Sequence, residues 1–301
     1  MTGYMHPSYV ESLAEFGVPR GLPRCGGWVL ERQIPGFPDH DAMGCYPLFC
    51  CQDWSQLDAD LKDLGDELVS LALVTDPFGE YSMAYLRRCF QDVIIPFKDH
   101  FIADLCCPTN DIVSAHHRQY ARKALKSLHV EECQKPMQFI DEWVDLYTQL
   151  VDKHDIKGIK AFSRRAFAKQ LTIPGTAMFR ALYDDVIVGV HIWFLQGEVG
   201  YGHLGAYSEA GYELGAAYAL YWSVIERLSG QVRWLDLGAG AGTSSDGNDG
   251  LSRFKRGWST GTRTAYFCGQ VFDRQKYAEI VKAKGVIDTD YFPSYRKGEF
   301  Q

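Results

Sequence analysis

Two periodicities of apolar residues alternate along the chain, and together they predict a mixed α/β protein. Stretches in which every second residue is apolar predict strands, because successive side chains of a strand point to opposite faces of a sheet. Stretches with apolar residues three and four positions apart predict amphipathic helices. The predicted strands lie at 28–32, 46–51, 68–74, 93–105, 177–183, 186–195, 199–207, 232–237 and 264–272. The predicted helices lie at 53–64, 116–128, 136–150, 163–171, 216–228 and 275–283.

The predicted strands at 177–183, 186–195 and 199–207 form an antiparallel meander. The length of its last turn decides which side chains of the second and third strands share a face. A three-residue loop at 196–198 pairs Trp193 with Tyr201 and His191 with His203. Two imidazoles on one face of adjacent strands lower each other's tendency to take up a proton. A neutral His203 is then a candidate general base. The alternative is a core histidine that hydrogen-bonds to a backbone carbonyl.

The run VRWLDLGAGAG at 232–242 has the outline of a nucleotide-binding loop. In dinucleotide-binding domains such glycines end a strand, and a helix begins directly after them. Here TSSDGNDG follows at 243–250, which is rich in turn formers and has no helical apolar period. The run also lies late in the chain, where a Rossmann domain still needs βα units. These features favour a bend over a nucleotide site. Asp236, at the end of the strand, either orients a base such as His203 or caps the turn.

Composition and charge narrow the possible functions. With 301 residues, 46% of them apolar, and a net charge of −7, the chain is predicted to be an acidic globular protein of about two domains. This charge argues against a broad nucleic-acid-binding face. One basic stripe is an exception, because Arg118, Arg122 and Lys126 follow helical spacing without an acidic residue among them. The stripe is either a solvated face or a site for an anionic substrate.

The sequence also carries information about compartment and metals. It contains no apolar run as long as a membrane span and no signal-peptide pattern, so we expect no membrane insertion. Its nine cysteines include two adjacent pairs but no Cys-x-x-Cys. That usage is typical of reduced, buried thiols rather than of a disulfide framework or a metal site. We therefore expect a cytoplasmic protein without a bound metal.

The segment GLSRFKRGW at 250–258 resembles the Gly-x-x-x-Phe-Lys-x-Gly-aromatic element of the FemAB-like branch of the GNAT N-acyltransferase superfamily. Three further segments are similar to that branch, FKDHFIADL, HRQYARKA and SEAGYELGAAYAL, at 97–105, 117–124 and 208–220. The likeness extends over roughly residues 90 to 285. The predicted order of two helices, a meander, a helix and a further strand is also similar to the GNAT core.

The resemblance implies a fold and an activity. The fold is α/β, with an α+β mixed sheet and two tandem GNAT-like domains of the acyl-CoA N-acyltransferase type. We expect a degenerate N-terminal domain at 1–125 and a C-terminal domain at 126–301. The activity is transfer of an acyl group from acyl-CoA to an amine of an amino sugar, an amino acid or a peptide-like precursor.

The resemblance also implies roles for single residues. The matching lysine of FemAB-like enzymes is implicated at the transfer site, so Lys255 is expected to stabilise an oxyanion or bind a phosphate; the alternative is a surface lysine. Tyr218 is expected either to protonate the leaving group or to belong to the core. His203 and Asp236 complete the expected catalytic set. The residues expected to bind the donor are Ser208, Gly211, Tyr212 and Gly215. Those expected to bind substrate are Lys98, His100, Arg118, Arg122, Arg253 and Phe254.

The donor turn departs from the usual GNAT pattern. A typical acyl-CoA loop reads Gln/Arg-x-x-Gly-x-Gly/Ala, whereas here Ser208 replaces Gln/Arg and the spacing from Gly211 to Gly215 is wider. FemAB-like relatives include transferases that use aminoacyl-tRNA, which has no pyrophosphate to bind. Two alternatives to an acyl-CoA-dependent enzyme therefore stay open: an aminoacyl-tRNA-dependent transferase, and a GNAT-fold binding protein without catalysis.

Overall fold

The computed structural model describes residues 1–240, 249–286 and 289–299. Within these ranges the strands are β1 (Val18–Leu22), β2 (Gly27–Gln33), β3 (His40–Gly44), β4 (Ser70–Val74), β5 (Val93–Asp104), β6 (His129–Cys133), β7 (Thr176–Tyr183), β8 (Val186–Gln196), β9 (Val199–Tyr207), β10 (Trp234–Asp236) and β11 (Gly261–Val271). The helices are α1 (Pro7–Ser12), α2 (Leu57–Leu64), α3 (Met83–Cys89), α4 (Thr109–Ile112), α5 (Ala115–Ala124), α6 (Ile140–His154), α7 (Arg164–Gln170), α8 (Glu209–Leu214), α9 (Ala216–Leu228), α10 (Gly250–Arg256) and α11 (Arg274–Ala283). The predicted mixed α/β class is confirmed.

The chain divides into two compact units that interleave along the sequence. We call residues 4–97, 157–161 and 265–301 the N-terminal unit, and residues 1–3, 98–156 and 162–264 the central unit. The predicted domain boundary at residue 125 stays a prediction.

The N-terminal unit contains strands in the order β1-β2-β3-β4-β11. β3 and β4 pair in parallel, and the other neighbours are antiparallel. The core of this unit includes Leu57, Leu61 and Leu64, which follow the helical spacing seen in the sequence and lie on one side of α2. The predicted strand at 46–51 is wrong, because only Phe49 of that segment forms a bridge. Proline at position 47 lacks the N–H that a ladder needs.

The central unit contains strands in the order β5-β10-β9-β8-β7-β6. β10 runs parallel to β9, and the other neighbours are antiparallel. β8 is buried at most of its positions, because both α9 and α6 pack against it. The apolar residues of α9 join those of β7 and α5 in one core, which also contains Leu237 and Trp258.

The predicted register between β8 and β9 is wrong. The connecting turn has two residues instead of three, so Phe194 pairs with Tyr201. A bulge then shifts the ladder between Ile192 and Trp193, and His191 pairs with Gly205. Because one residue of shift moves a side chain to the other face, His191 and His203 do not lie together.

Five helices of the described residues were not predicted from the sequence: α1, α3, α4, α8 and α10. α10 begins at Gly250, inside the segment that was predicted to contain no helix. The preceding residues 243–248 lie outside the described part of the chain, as does the end of the glycine run at 241–242. Within the described ranges, no helix is both long enough and apolar enough to cross a membrane.

Candidate active site

The glycine run begins at a buried carboxylate. Asp236, at the end of β10, is 2% exposed. Its Oδ1 accepts a hydrogen bond of 2.7 Å from the N–H of Gly238, and its Oδ2 lies 2.9 Å from Nδ1 of His100 on β5. Gly238 has a φ of +74°, a conformation that favours glycine. Asp236 therefore fixes the bend after β10, one of the two roles that the sequence left open for it, and it orients His100 instead of His203.

A second glycine lets the run approach α10. The carboxylate of Asp249 caps this helix by accepting from the N–H groups of Leu251 and Ser252. A Cβ on Gly240 would lie 2.1 Å from Oγ of Ser252 and 2.7 Å from Oδ2 of Asp249. Only a residue without a side chain fits there. In the described part of the run, the glycines shape a bend against the start of a helix.

Lys255, on the last turn of α10, reaches that bend. Its Nζ donates a hydrogen bond of 2.7 Å to the carbonyl oxygen of Ala239. Burial lowers the pKa of Lys255 to about 8; the carboxylates of Asp236 and Asp249 raise it, and the ammonium of Lys98 lowers it further. The ammonium is thus the main form at neutral pH, but it gives up a proton more readily than an ordinary lysine.

The charge of Lys255 acts on His191, which contacts two tyrosines. Nε2 of His191 and the hydroxyl of Tyr207 are 2.5 Å apart, and the ring centroid of His191 is 4.8 Å from that of Tyr221. Burial, with a smaller effect from the Lys255 ammonium, lowers the pKa of His191 to about 3, so its imidazole is neutral. Burial and the charge of Asp236 raise the pKa of Tyr221, which keeps its phenol protonated.

Tyr221 was missed by the sequence reasoning, which selected Tyr218 one turn earlier on α9. The ring of Phe254 lies between the two, with centroids 5.1 Å from Tyr218 and 5.4 Å from Tyr221. Tyr218 instead contacts the rings of His117 and Tyr120 on α5. The helical spacing of the two tyrosines was a visible signal, but it did not show which one faces Asp236.

The predicted donor turn is a capped helix. Oγ of Ser208 accepts from the N–H of Gly211, whose Cβ position would lie 2.0 Å from the carbonyl oxygen of Val188. Gly215 ends α8 with a φ of +75°. The N–H groups of Ser208, Gly211, Tyr212 and Gly215 all donate within the protein. The ammonium of Lys153 lies over the exposed ring of Tyr212, 3.9 Å from the ring centroid, in a cation–π contact.

His203 does not belong to the site. Its Nε2 lies 3.2 Å from Oε1 of Gln170, and its ring stacks on Phe194 at 4.5 Å, whereas His191 faces Tyr221. Burial lowers the pKa of His203 to about 3. The candidate base of the sequence analysis is therefore buried in the core, where the amide side chain of Gln170 is one of its partners.

The predicted substrate-binding residues separate into two groups. His100 lies at Asp236, Lys98 acts on Lys255 through its charge, and Phe254 precedes Lys255 on α10. Arg118 has a structural role, because its guanidinium donates hydrogen bonds to the backbone carbonyls of residues 110 and 113. Arg122 and Arg253 are exposed.

Comparison with known proteins identifies the family of this region. Residues 114–256 match the acetyltransferase (GNAT) domain family. The structure of FemX is similar over 91% of this chain and 93% of its own, with a TM-score of 0.65 and 13% identity. The C-terminal domain (DUF2156) of a putative lysylphosphatidylglycerol synthetase from Agrobacterium fabrum is similar over 95% of this chain and 92% of its own, with a TM-score of 0.64 and 13% identity.

L-PGS from Bacillus licheniformis is similar over 96% of this chain and 99% of its own, with a TM-score of 0.60 and 14% identity. At these identities the likeness to solved structures establishes the fold alone. No curated protein matches the chain.

Proposed function

We propose that this chain, which belongs to the GNAT superfamily through its domain at residues 114–256, transfers an acyl group to an amine. The acceptor is the amine of an amino sugar, an amino acid or a peptide-like precursor. The observation that carries the proposal is the placement of the Lys255 ammonium beside the bend after β10, next to a carboxylate–histidine pair.

Acyl transfer needs a stabiliser for the negative charge that develops on the carbonyl oxygen. An ammonium has three N–H donors, and within the described residues Lys255 directs one of them at the carbonyl oxygen of Ala239. In the proposed mechanism its other donors bind the oxyanion. The ammonium is held by the backbone and by the charges of Asp236 and Asp249, so it need not reorganise during the reaction.

The attacking amine must also lose a proton. Because Nδ1 of His100 faces Asp236, we assign Nε2 of His100 as the acceptor of that proton, with Asp236 as the residue that orients the ring. We assign Tyr221, in place of Tyr218, as the phenol that protonates the leaving oxygen, because its hydroxyl stays protonated beside Asp236.

The donor we propose is an aminoacyl ester on tRNA, as the resemblance to FemAB-like enzymes allows. A coenzyme A pyrophosphate needs free backbone N–H groups at the donor turn. The amides of Ser208, Gly211 and Tyr212 are already used inside the protein, which leaves this turn with fewer N–H groups for a pyrophosphate. Exposed basic residues on α5, among them Arg122 and Lys123, favour a polyanionic donor.

The test is a transfer assay that offers aminoacyl-tRNA and acetyl-CoA in parallel to a panel of amines. We expect product with aminoacyl-tRNA, and a loss of about 10²–10³ in turnover in Lys255→Met, the effect of removing one oxyanion donor. Arg256→Met, an exposed cation one residue further along α10, is the matched control and should retain activity.

Each other outcome has a definite meaning. Product with acetyl-CoA alone would overturn the donor assignment and leave acyl transfer standing. Undiminished turnover in Lys255→Met would remove this lysine from the mechanism. Absence of product with every donor, together with absence of donor binding by calorimetry, would identify a non-catalytic GNAT-fold binding protein.

A further inference from the structure

His117 on α5 joins that helix to the end of α10. It is 7% exposed. Its Nε2 lies 3.0 Å from the carbonyl oxygen of Phe254, and its Nδ1 lies 2.9 Å from Oγ of Ser114. The Ser114 oxygen also accepts the N–H of His117 itself. These contacts fit a single tautomer, in which Nε2–H donates to Phe254 and Nδ1 accepts from the serine hydroxyl.

The fit of this ring depends on glycine in the Phe-Lys-Arg-Gly element. A Cβ on Gly257 would lie 2.2 Å from Cε1 and 2.4 Å from Nδ1 of His117, so the imidazole occupies the space of a missing side chain. The carbonyl of Gly257 accepts a second hydrogen bond, of 2.9 Å, from the N–H of Ser114, the N-cap residue of α5. Burial lowers the pKa of His117, which keeps the ring neutral and preserves its acceptor nitrogen.

α10 needs such support because of its length. It has seven residues, and a helix this short has little stability of its own in water. Its first turn is capped by Asp249, whereas its last turn carries Lys255 and is held from outside through the carbonyls of Phe254 and Gly257. The residue whose carbonyl His117 binds directly precedes the lysine.

We propose that His117 is a positioning residue for Lys255: by binding the carbonyl of Phe254 it fixes the last turn of α10, from which the ammonium reaches Ala239. It acts on the reaction only through that lysine. The importance of the residue for catalysis rests on the function proposed above, but its effect on the lysine can be measured without any substrate.

The experiment is competitive acylation of the full-length protein by a limiting dose of acetic anhydride, from about pH 6 to about pH 11. Peptide mass spectrometry follows modification of Lys255, with exposed Lys123 on α5 as an internal reference. The wild-type lysine should reach half of its maximal reactivity near pH 8, set by burial, the carboxylates of Asp236 and Asp249, and Lys98; neutral His191 adds no charge.

In His117→Ala we expect this midpoint to rise by at least about one pH unit towards that of an ordinary lysine, as the ammonium moves into water. Turnover should fall about tenfold or more through kcat, with little change in KM. His117→Gln, which keeps an N–H for the carbonyl of Phe254, should restore both values. Gly257→Ala, which displaces the ring without changing its chemistry, should reproduce the alanine phenotype.

An unchanged midpoint of Lys255 in His117→Ala, with only a lower melting temperature, would overturn the proposal and leave an ordinary core histidine. If that variant does not fold, the midpoints of His117→Gln and Gly257→Ala decide the question. Full turnover in Lys255→Met with a shifted labelling midpoint in His117→Ala would refute the catalytic role of the lysine but keep the positional link.

Discussion

Nδ1 of His100 lies 2.9 Å from Oδ2 of Asp236, and this pair joins β5 to β10 at the place where the glycine run begins. The same carboxylate accepts the N–H of Gly238 and raises the pKa of both Lys255 and Tyr221. One buried charge thus shapes the bend, orients the imidazole and, second to burial, influences the pKa values of two neighbouring side chains.

The first prediction concerns that charge. Asp236→Asn removes an attraction for the ammonium, so the pKa of Lys255 should fall below about 8. Breaking the buried pair with His100 should also cost about 3 kcal/mol in the free energy of unfolding. Urea unfolding and the labelling midpoint of Lys255 measure the two effects.

Asp249→Asn is the matched control for this change. It removes another carboxylate that raises the pKa of Lys255, but asparagine still caps a helix and the His100 pair is untouched. We expect a similar shift in the labelling midpoint with little loss of stability. Equal loss of stability in the two variants would contradict the importance of the His100 pair.

The second prediction is the pH dependence of turnover. If the ammonium form of Lys255 stabilises the oxyanion, the contribution of this lysine to turnover is complete well below pH 8 and is lost as pH rises through about 8, where that proton is lost. Lys255→Arg keeps its charge over this range, so its activity, although lower, should not fall near pH 8. An alkaline limb shared by both proteins would assign the titration to another group.

The third prediction tests the close approach of the glycine run to α10. Gly240→Ala places a Cβ 2.1 Å from Oγ of Ser252, so the cap at Asp249 must move. We expect a lower melting temperature and at least about a tenfold loss of turnover through misplaced Lys255. Gly250→Ala meets no atom within 4 Å and should be neutral or stabilising.

Many of the longer elements were visible in the sequence because their patterns are local, whereas short ones such as β1, β3 and β6 were not predicted. The predicted bounds of 199–207 and 216–228 are those of β9 and α9. The pairing of β8 with β9 was not visible, since it depends on a two-residue turn and a bulge beside His203 that leave the apolar alternation of the strand unchanged.

Only part of the site could be predicted from the sequence, because contacts between residues distant along the chain leave no local pattern. Lys255 stood in a segment similar to a known family, and Asp236 ended a strand, so both could be selected. For His117 the sequence held no local signal, and for Tyr221 the helical spacing was not sufficient to assign its role. The first depends on contact with the Phe254 carbonyl and Gly257, distant in sequence, and the second on which turn of α9 faces the site.

The fourth prediction is that Arg118 and Arg122, both on α5, have different roles. Arg122 is exposed, so Arg122→Glu should raise KM for an RNA donor and reduce the salt slope of its binding by about 0.7–0.9 per lost phosphate contact, with unchanged stability. Arg118→Ala should lower the melting temperature instead, because its guanidinium donates to two backbone carbonyls of the central unit. If Arg122→Glu and the wild type bind the RNA donor equally at low salt and equally at high salt, this face is excluded as the donor surface.

The fifth prediction uses His203 as a probe of acid stability. The pKa of this buried imidazole is about 3 in the folded chain against 6.5 in the unfolded one, so the unfolded state binds more protons between these values. Its stabilising effect is therefore complete above pH 6.5 and is lost as pH falls towards 3, by about 1.4 kcal/mol for each pH unit.

His203→Gln cannot take up that proton, so its free energy of unfolding should fall less steeply with acid than that of the wild type. Exposed His129→Gln is the control and should leave the slope unchanged. Because His203 faces Gln170 and Phe194 rather than Lys255, the acid limb of turnover should be the same in His203→Gln and the wild type wherever both are folded. A changed activity profile in His203→Gln, without a changed unfolding slope, would return this histidine to the list of candidate bases.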